Sequence, residues 1–407
     1  MEGENPQPRS RLEIFKNVPA KVKWLIYLLS FASVGYGYLL VAIAAYLPEI
    51  GLSSGDVGLI LGANGIAFAV SAIPIGLLSD RRGRKWVLIL GLMALSPSLL
   101  VYALTTDVGA LLVAAIAAGV AEGAFLTSWN ALIADMTTLE NRVAAFSFSF
   151  IIGGISMSIG YALPFVFPFI SEATGFSSHL VHTWTFIILA VITVFSPVTL
   201  WILLRDYKEV RRLEGRSIKK GSMGPLLKFS ALNSLIGLGA GFIIPLIPTW
   251  LFLKFGIPDT YSGPLLALSL ITIAFAAVAS ASLARRYGSV RAIVMTQGLS
   301  TIFMFALAFA GEPLLACVLY LIRSALMNMS SPLADSFLMG IVPKEGRGLA
   351  SAINSLIWRL PNSATTIVGG MILAAGIYDV PFFLATAFYI VSITLFCRIF
   401  KDVKMLG

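Results

Sequence analysis

Twelve stretches of mostly apolar residues recur along the chain, and each is long enough to cross a bilayer as a helix. They run near 24–47, 56–78, 86–104, 108–134, 144–170, 180–204, 226–252, 260–284, 291–310, 313–341, 349–376 and 380–399. A helix needs roughly 20 apolar residues to span the hydrocarbon core. In lipid every backbone N–H and C=O must be satisfied within the segment, so such a stretch is helical. Hydrophobic residues make up 58% of the 407 positions and charged residues only 12%, against about 25% charged in a soluble domain. A water-soluble fold of this composition would lack the polar groups to cover its surface. The expectation is an all-α membrane protein with 12 transmembrane helices. Soluble enzyme and nucleic-acid-binding protein are excluded, despite the net charge of +9.

The direction of the spans follows from the charges between them. With the N-terminus in the cytoplasm, 26 of the 29 Lys and Arg residues fall in cytoplasmic segments. Lys254 alone lies outside, and Arg323 and Arg359 lie within spans. Glu49, Asp56, Asp107, Glu172, Asp259, Glu312 and Asp379 all fall in outside loops. This is the positive-inside pattern. It places a multi-pass protein in the cell membrane with both termini cytoplasmic, and it assigns the positive charge to topology and anionic lipid. The first span is too long for a signal peptide. Cys317 and Cys397 sit in apolar runs and give no disulfide framework.

The longest polar segment, from Arg205 to Lys228, carries eight basic and three acidic residues. It divides the chain into a leader (1–23), a six-helix bundle (24–204), a linker (205–225), a second six-helix bundle (226–400) and a tail (401–407). The halves repeat. Gly83 and Gly288 stand 205 apart, as do Arg81 and Arg286, Glu140 and Glu345, and Arg142 and Arg347. Gly35-Tyr-Gly-Tyr38 matches Gly239-Ala-Gly-Phe242 at an offset of 204. Six spans per half keep the repeat's membrane orientation, an arrangement that transporters use with a site between the repeats.

On these features the chain resembles the major facilitator superfamily of secondary transporters over essentially its whole length. The most specific match is the loop Gly76…Asp80-Arg81-x-Gly83-Arg84-Lys85. Ala134-Asp135 followed by Arg142 matches the family pattern after span four. In the second half Arg285 stands where the acid would be, and Ala115 stands where the drug/proton antiporter signature has an arginine. The resemblance implies two pseudo-symmetric bundles around a cavity lined by spans one, four, seven and ten. It also implies a conformational latch of Gly76, Asp80, Arg81, Gly83, Arg84, Lys85, Asp135, Arg142 and Arg347. Asp80 sits at the negative end of its own helix dipole. It therefore needs a cation or the free N–H groups at the start of span eleven, a contact that would close the cytoplasmic side. Gly76 and Gly83 would allow close helix approach and a tight turn.

Three ionisable residues lie well inside spans: Glu122, Arg323 and Arg359. Each costs roughly 2.5–3.5 kcal/mol or more against lipid, so they are expected to face a wet cavity or one another. Ser355, Arg359, Asn362, Ser363 and Thr366 make one polar stripe on span eleven. Trp129 is expected beside Glu122, with Tyr36, Tyr38, Asn64 and Asn328 as further candidates. One carboxylate with two guanidiniums leaves a positive cavity, suited to a carboxylate or phosphate that Arg grips bidentately. Glu122 would be the protonatable coupling group, with substrate and proton competing for one site. The opposite reading is export of a cationic or hydrophobic compound held by Glu122, Trp129 and the tyrosines. A third is a receptor or scaffold on a transporter fold.

Other signals carry less. Ser149, Gly153, Ser156 and Gly160 on span five suggest close helix packing, and Pro245 and Pro248 suggest a bend in span seven. His179 and His182 have no acid or cysteine near them in sequence and make a poor metal site. No phosphate-binding loop is present. The expected partners are a small-molecule substrate, a coupling proton or sodium ion and the bilayer. No cofactor, no metal and no nucleic acid are expected, and the unit is a monomer.

Overall fold

The computed structural model describes residues 13–207, 220–342 and 347–400. The expected leader, linker and tail lie largely outside these residues. Twelve long helices follow one another: α1 (Ala20–Glu49), α2 (Ser54–Arg82), α3 (Arg84–Leu104), α4 (Val108–Asp135), α5 (Glu140–Thr174) and α6 (Ser178–Leu203). The second set is α7 (Gly224–Phe255), α8 (Asp259–Tyr287), α9 (Ser289–Ala308), α10 (Pro313–Ile341), α11 (Arg347–Ala374) and α12 (Val380–Phe400). Each falls on one apolar stretch. Capping residues set several of the starts: Ser53, Asp107 and Ser177 accept the N–H groups of Asp56, Ala110 and Leu180, satisfying donors the helix leaves open. Thr138 and Asn141 form a reciprocal capping box before α5.

Among the described residues ten helices are long and apolar enough to cross a membrane by themselves, and α8 and α11 are the two others. In α11 the reason is the polar stripe, which needs a protein environment rather than lipid. On the outside, large apolar side chains such as Leu104, Phe150 and Leu314 are three-quarters or more exposed. In water that surface would drive association. Against acyl chains it is the expected face.

The repeat seen in sequence is also a repeat of packing. In the first half α2 packs on α4, α1 on α5 and α3 on α6. The second half repeats all three pairings: α8 on α10, α7 on α11 and α9 on α12. Backbone conformation repeats as well. Gly83 (φ 110°) and Gly288 (φ 81°) are the single residues between α2 and α3 and between α8 and α9. Gly51 (φ 99°) and Gly256 (φ 67°), again 205 apart, follow α1 and α7. A side chain with Cβ is strained at such φ values, so these glycines fix where each half turns.

The halves join through α2 against α11 and α5 against α8, two contacts that the pseudo-symmetry exchanges. A Cβ on Gly58 would lie 2.8 Å from Gly370 Cα and from the Thr366 carbonyl, and one on Gly62 would lie 2.7 Å from the Ser363 carbonyl. Small residues four apart let two helices touch backbone to backbone, the main attraction available in lipid. Further joints lie at the same end, where the acidic loops are: Thr249 donates to the Ala44 carbonyl at 2.5 Å, and the Asp259 N–H donates to Glu49. Among the described residues these contacts close the acidic end of the molecule.

Two local expectations divide on inspection. The bend in α7 is present: the helix tightens to a 3-10 turn at Ile244–Leu246, where Pro245 removes a donor. The close-packing stripe on α5 holds only in part. Gly160 abuts the Val34 carbonyl, but a Cβ on Gly153 would meet nothing within 4 Å.

Candidate functional site

A cavity of about 420 Å³ lies between the halves, within the range of small-molecule sites. Its two walls differ in chemistry. The second half contributes Asn233, Tyr320, Arg323, Asn328, Arg359, Asn362 and Tyr389. The first half contributes Leu40, Ala44, Leu61 and Gly65, with Asn64 and Tyr161 as the polar exceptions. The helices supply this lining because α1 and α7 present small or apolar faces at mid-height, while α10 and α11 carry the buried polar residues.

Four of the expected residues meet at one place. Arg359 Nη2 lies 3.0 Å from Glu122 Oε2 and 3.3 Å from Oε1, a pair that crosses from α11 to α4 and so ties the halves. Tyr36 Oη donates to the same carboxylate at 2.5 Å and stands 3.0 Å from Asn64 Oδ1. One hydroxyl proton serves one of these acceptors at a time. The Asn64 amide is turned by its own donation to the Ala115 carbonyl at 3.0 Å. Arg359 also covers the Phe68 ring, 4.8 Å from its centroid, a cation–π contact that holds the guanidinium when its ion partner changes. Glu122 is 24% exposed and Arg359 30%. Both remain wet enough to exchange partners.

Arg323 is separate from this cluster. Its side chain is 4% exposed, its Nη2 donates to Tyr389 Oη at 2.7 Å, and its Nε has no hydrogen-bond partner. Among the described residues it forms no ion pair. A buried guanidinium without a carboxylate is expensive, which makes it the charge in this cavity most in need of a ligand. Asn328 also lines the space, bonded to the Ser324 carbonyl at 2.8 Å. Asn362 lines it while donating to the Gly237 carbonyl at 3.1 Å, and so holds α11 against α7.

Four expected residues do not line the cavity: Glu122 and Tyr36 touch it only through their bonds to Arg359 and Asn64, and Trp129 and Tyr38 point elsewhere. Trp129 is buried against Phe125 and donates to Ser149 at 2.8 Å, so its indole fastens α4 to α5. Tyr38 is two residues from Tyr36 and therefore points away from it on the helix; its hydroxyl meets His182 near the acidic end. Among the lining residues not expected from sequence, Tyr161, Tyr320, Tyr389 and Asn233 carry the larger polar side chains. Uncharged polar residues within apolar spans are too common to single out, and only the neighbouring Arg323 gave a signal for Tyr389.

At the basic end the expected latch residues form a brace within the first half. Arg84 is buried, pairs with Asp135, donates to the Ala131 carbonyl at 2.8 Å and stands 3.7 Å from Asp80. Tyr207 donates to Asp135 at 3.0 Å. Lys85 reaches the Leu204 carbonyl at 2.8 Å, and Arg142 reaches the Ala134 carbonyl at 2.9 Å. These bonds tie α2, α3, α4 and the end of α6. Arg81 is exposed. Gly83 makes the tight turn, but a Cβ on Gly76 would lie 3.9 Å from its nearest neighbour, Thr127, so no close approach requires glycine there. The Arg347 side chain lies outside the described residues.

The family model described as Major Facilitator Superfamily matches residues 24–233 and again 229–405. The inner membrane transport protein YajR of Escherichia coli is 29% identical over 178 residues, which cover 44% of this chain and 37% of that protein. The quinolone resistance protein NorA of Staphylococcus aureus is 27% identical over 148 residues, covering 33% and 37%. The chain thus spans under two-fifths of the length of these relatives. Among solved structures, a bacterial homolog of the human lysosomal transporter Spinster, inward-facing and occupied, superposes with a TM-score of 0.76 at 15% identity, over 93% of this chain and 97% of that one. A D-xylose-proton symporter gives 0.72 at 16% identity, over 98% and 99%. At these identities the structures speak for the fold alone.

Proposed function

The chain belongs to the Major Facilitator Superfamily, and from that premise we propose that it is a proton-coupled secondary transporter of a small organic anion. It lies in the cell membrane as a monomer, its basic end and both termini cytoplasmic. The proposed division is a bundle at 24–204, a linker at 205–225 and a bundle at 226–400. With that orientation the closed acidic end is outside, and the present state is inward-facing.

The observation that carries the anion is the charge balance of the cavity. Glu122 is paired with Arg359, whereas Arg323 is buried, has no carboxylate partner among the described residues and keeps an unbonded Nε. A carboxylate or phosphate head would complete Arg323 through two parallel hydrogen bonds. Its apolar remainder would lie on Leu40, Ala44 and Leu61. Protonation of Glu122 would release Arg359 as a second donor, so proton and anion are taken up together rather than in competition. Alternating access then moves both, the halves rocking about the cavity.

A panel of organic anions, organic cations and neutral apolar compounds tests this by thermal stabilisation of the purified protein. Anions are expected to raise the melting temperature, and Arg323→Ala to weaken their binding roughly ten- to a hundredfold, the worth of a charged hydrogen bond. Stabilisation by cations or neutral compounds, unchanged in Arg323→Ala, would instead support the exporter reading. Some of the relatives bear drug-resistance names.

A further inference from the structure

The acidic end holds a buried titratable group that the cavity chemistry does not use. His182 on α6 is fully buried, and its Nε2 lies 3.2 Å from Asp259 Oδ2 in the first turn of α8, both side chains 1% exposed. The two residues belong to different halves. No hydrogen bond joins them, and a charge attraction between them would require a proton on the imidazole. His182 Nδ1 lies 2.8 Å from Tyr38 Oη. A phenol suits either ring state, donating to a bare nitrogen and accepting from a protonated one. Tyr46 stacks on the ring at 3.6 Å and 11°, and Phe167 meets it edge-on. A π-turn in α1 at Ala42–Tyr46 sets Tyr46 in that position. The next turn brings Glu49 to accept the Asp259 N–H.

The other titratable groups around the pair are few. On α6, His179 lies edge-on to Tyr46 and shares a hydrogen bond with Thr183. Lys254 on α7 lies over the rings of Trp250 and Phe255. Tyr102 on α3 donates to the Leu111 carbonyl. Glu172 at the end of α5 and Asp107 before α4 are exposed. Among the described residues, His182 is the basic side chain within ion-pair reach of Asp259.

We propose that His182 and Asp259 form a second proton-binding site, apart from Glu122, that locks the outer closure. With a proton on the imidazole, taken from the outer solution, the ion pair is complete and the halves stay together. Without it the Asp259 carboxylate is buried unpaired, with the Glu49 carboxylate beside it, a costly state that opening relieves by hydrating both acids. The lock rests on the alternating-access reading and on no particular solute.

Spin labels on Thr106→Cys and Glu312→Cys, one on each half's outer loops, report the opening in the full chain in lipid vesicles, with Cys317 and Cys397 replaced by serine. Between about pH 5 and 8 the short distance is expected to dominate at the acid end and the long one at the alkaline end. One proton allows a change of at most about tenfold per pH unit. His182→Gln should lose this response and stay open. Asp259→Asn, which removes the buried charge, should lose it and stay closed. A wild-type distance that ignores pH, or a response in His182→Gln equal to the wild type's, overturns the lock; if His182→Gln fails to fold, a retained response in Asp259→Asn does so. Solute flux in the same vesicles decides the transport reading separately.

Discussion

At the scale of single residues, partner exchange decides what the cavity can do. Glu122 is held by Arg359 and Tyr36, so the charge that reaches a solute depends on whether that carboxylate is ionised. Glu122→Gln imitates the protonated acid and leaves Arg359 to the substrate. It is expected to keep substrate exchange between loaded vesicles while losing accumulation driven by a pH gradient. Equal loss of both would mean that Glu122 only binds. Arg359→Lys tests geometry rather than charge: an ammonium cannot reproduce the planar contact with Phe68 while one nitrogen bonds the carboxylate. Weaker binding by about tenfold, at the scale of one charged hydrogen bond, is the expected outcome in a titration.

At the scale of helices, glycine contacts divide into those that build a half and those that close the outer end. Gly119 on α4 packs within the first half, where a Cβ would lie 3.0 Å from the Asn64 carbonyl carbon. Gly58 on α2 touches α11 across the two halves. Overpacking costs typically about 1–3 kcal/mol, but the two sites should spend it differently. Gly119→Val strains every state and should lower the melting temperature. Gly58→Val strains only the outward-closed state and should leave stability nearly unchanged while shifting the chain outward-open by roughly five- to a hundredfold. Labelling of an outer-loop cysteine measures that shift, and an unshifted Gly58→Val with a lowered melting temperature would contradict it.

At the scale of the whole molecule, the proposed alternating access has two bundles meeting at one end at a time. Asp80 is 33% exposed in this state and 3.7 Å from Arg84, while the Arg84–Asp135 brace keeps α2, α3 and α4 in register. The latch proposed for Asp80 would form when the basic end closes, with the N–H groups at the start of α11 as the partner its helix-end position calls for. Asp80→Asn should therefore fold with a stability change within about 0.5 kcal/mol, as for an exposed site, and should favour the inward-open state. Unchanged accessibility of cysteines on both faces would rule out the latch. The brace and the latch are compatible, because Arg84 is buried and occupied whereas Asp80 retains open valence.

Much of this was legible in one dimension. Span number, the repeat and the membrane burial of Glu122, Arg323 and Arg359 follow from sequence, because lipid demands long apolar helices and penalises every charge placed in them. Near neighbours in space were not legible. Tyr36 and Tyr38 look equivalent in the chain, yet one bonds the cavity carboxylate and the other a histidine beneath the outer loops. Trp129 shares a face with Glu122 by spacing, but the partner it reaches is Ser149. His182 has no acid near it in sequence, and Asp259 comes to it from the other half. The hydrophobic pattern sets which residues leave the lipid. Which side chains then meet depends on how helices pack within a bundle and how the two bundles dock, and that is decided by backbone contacts at glycines and by bonds between residues some eighty to two hundred positions apart.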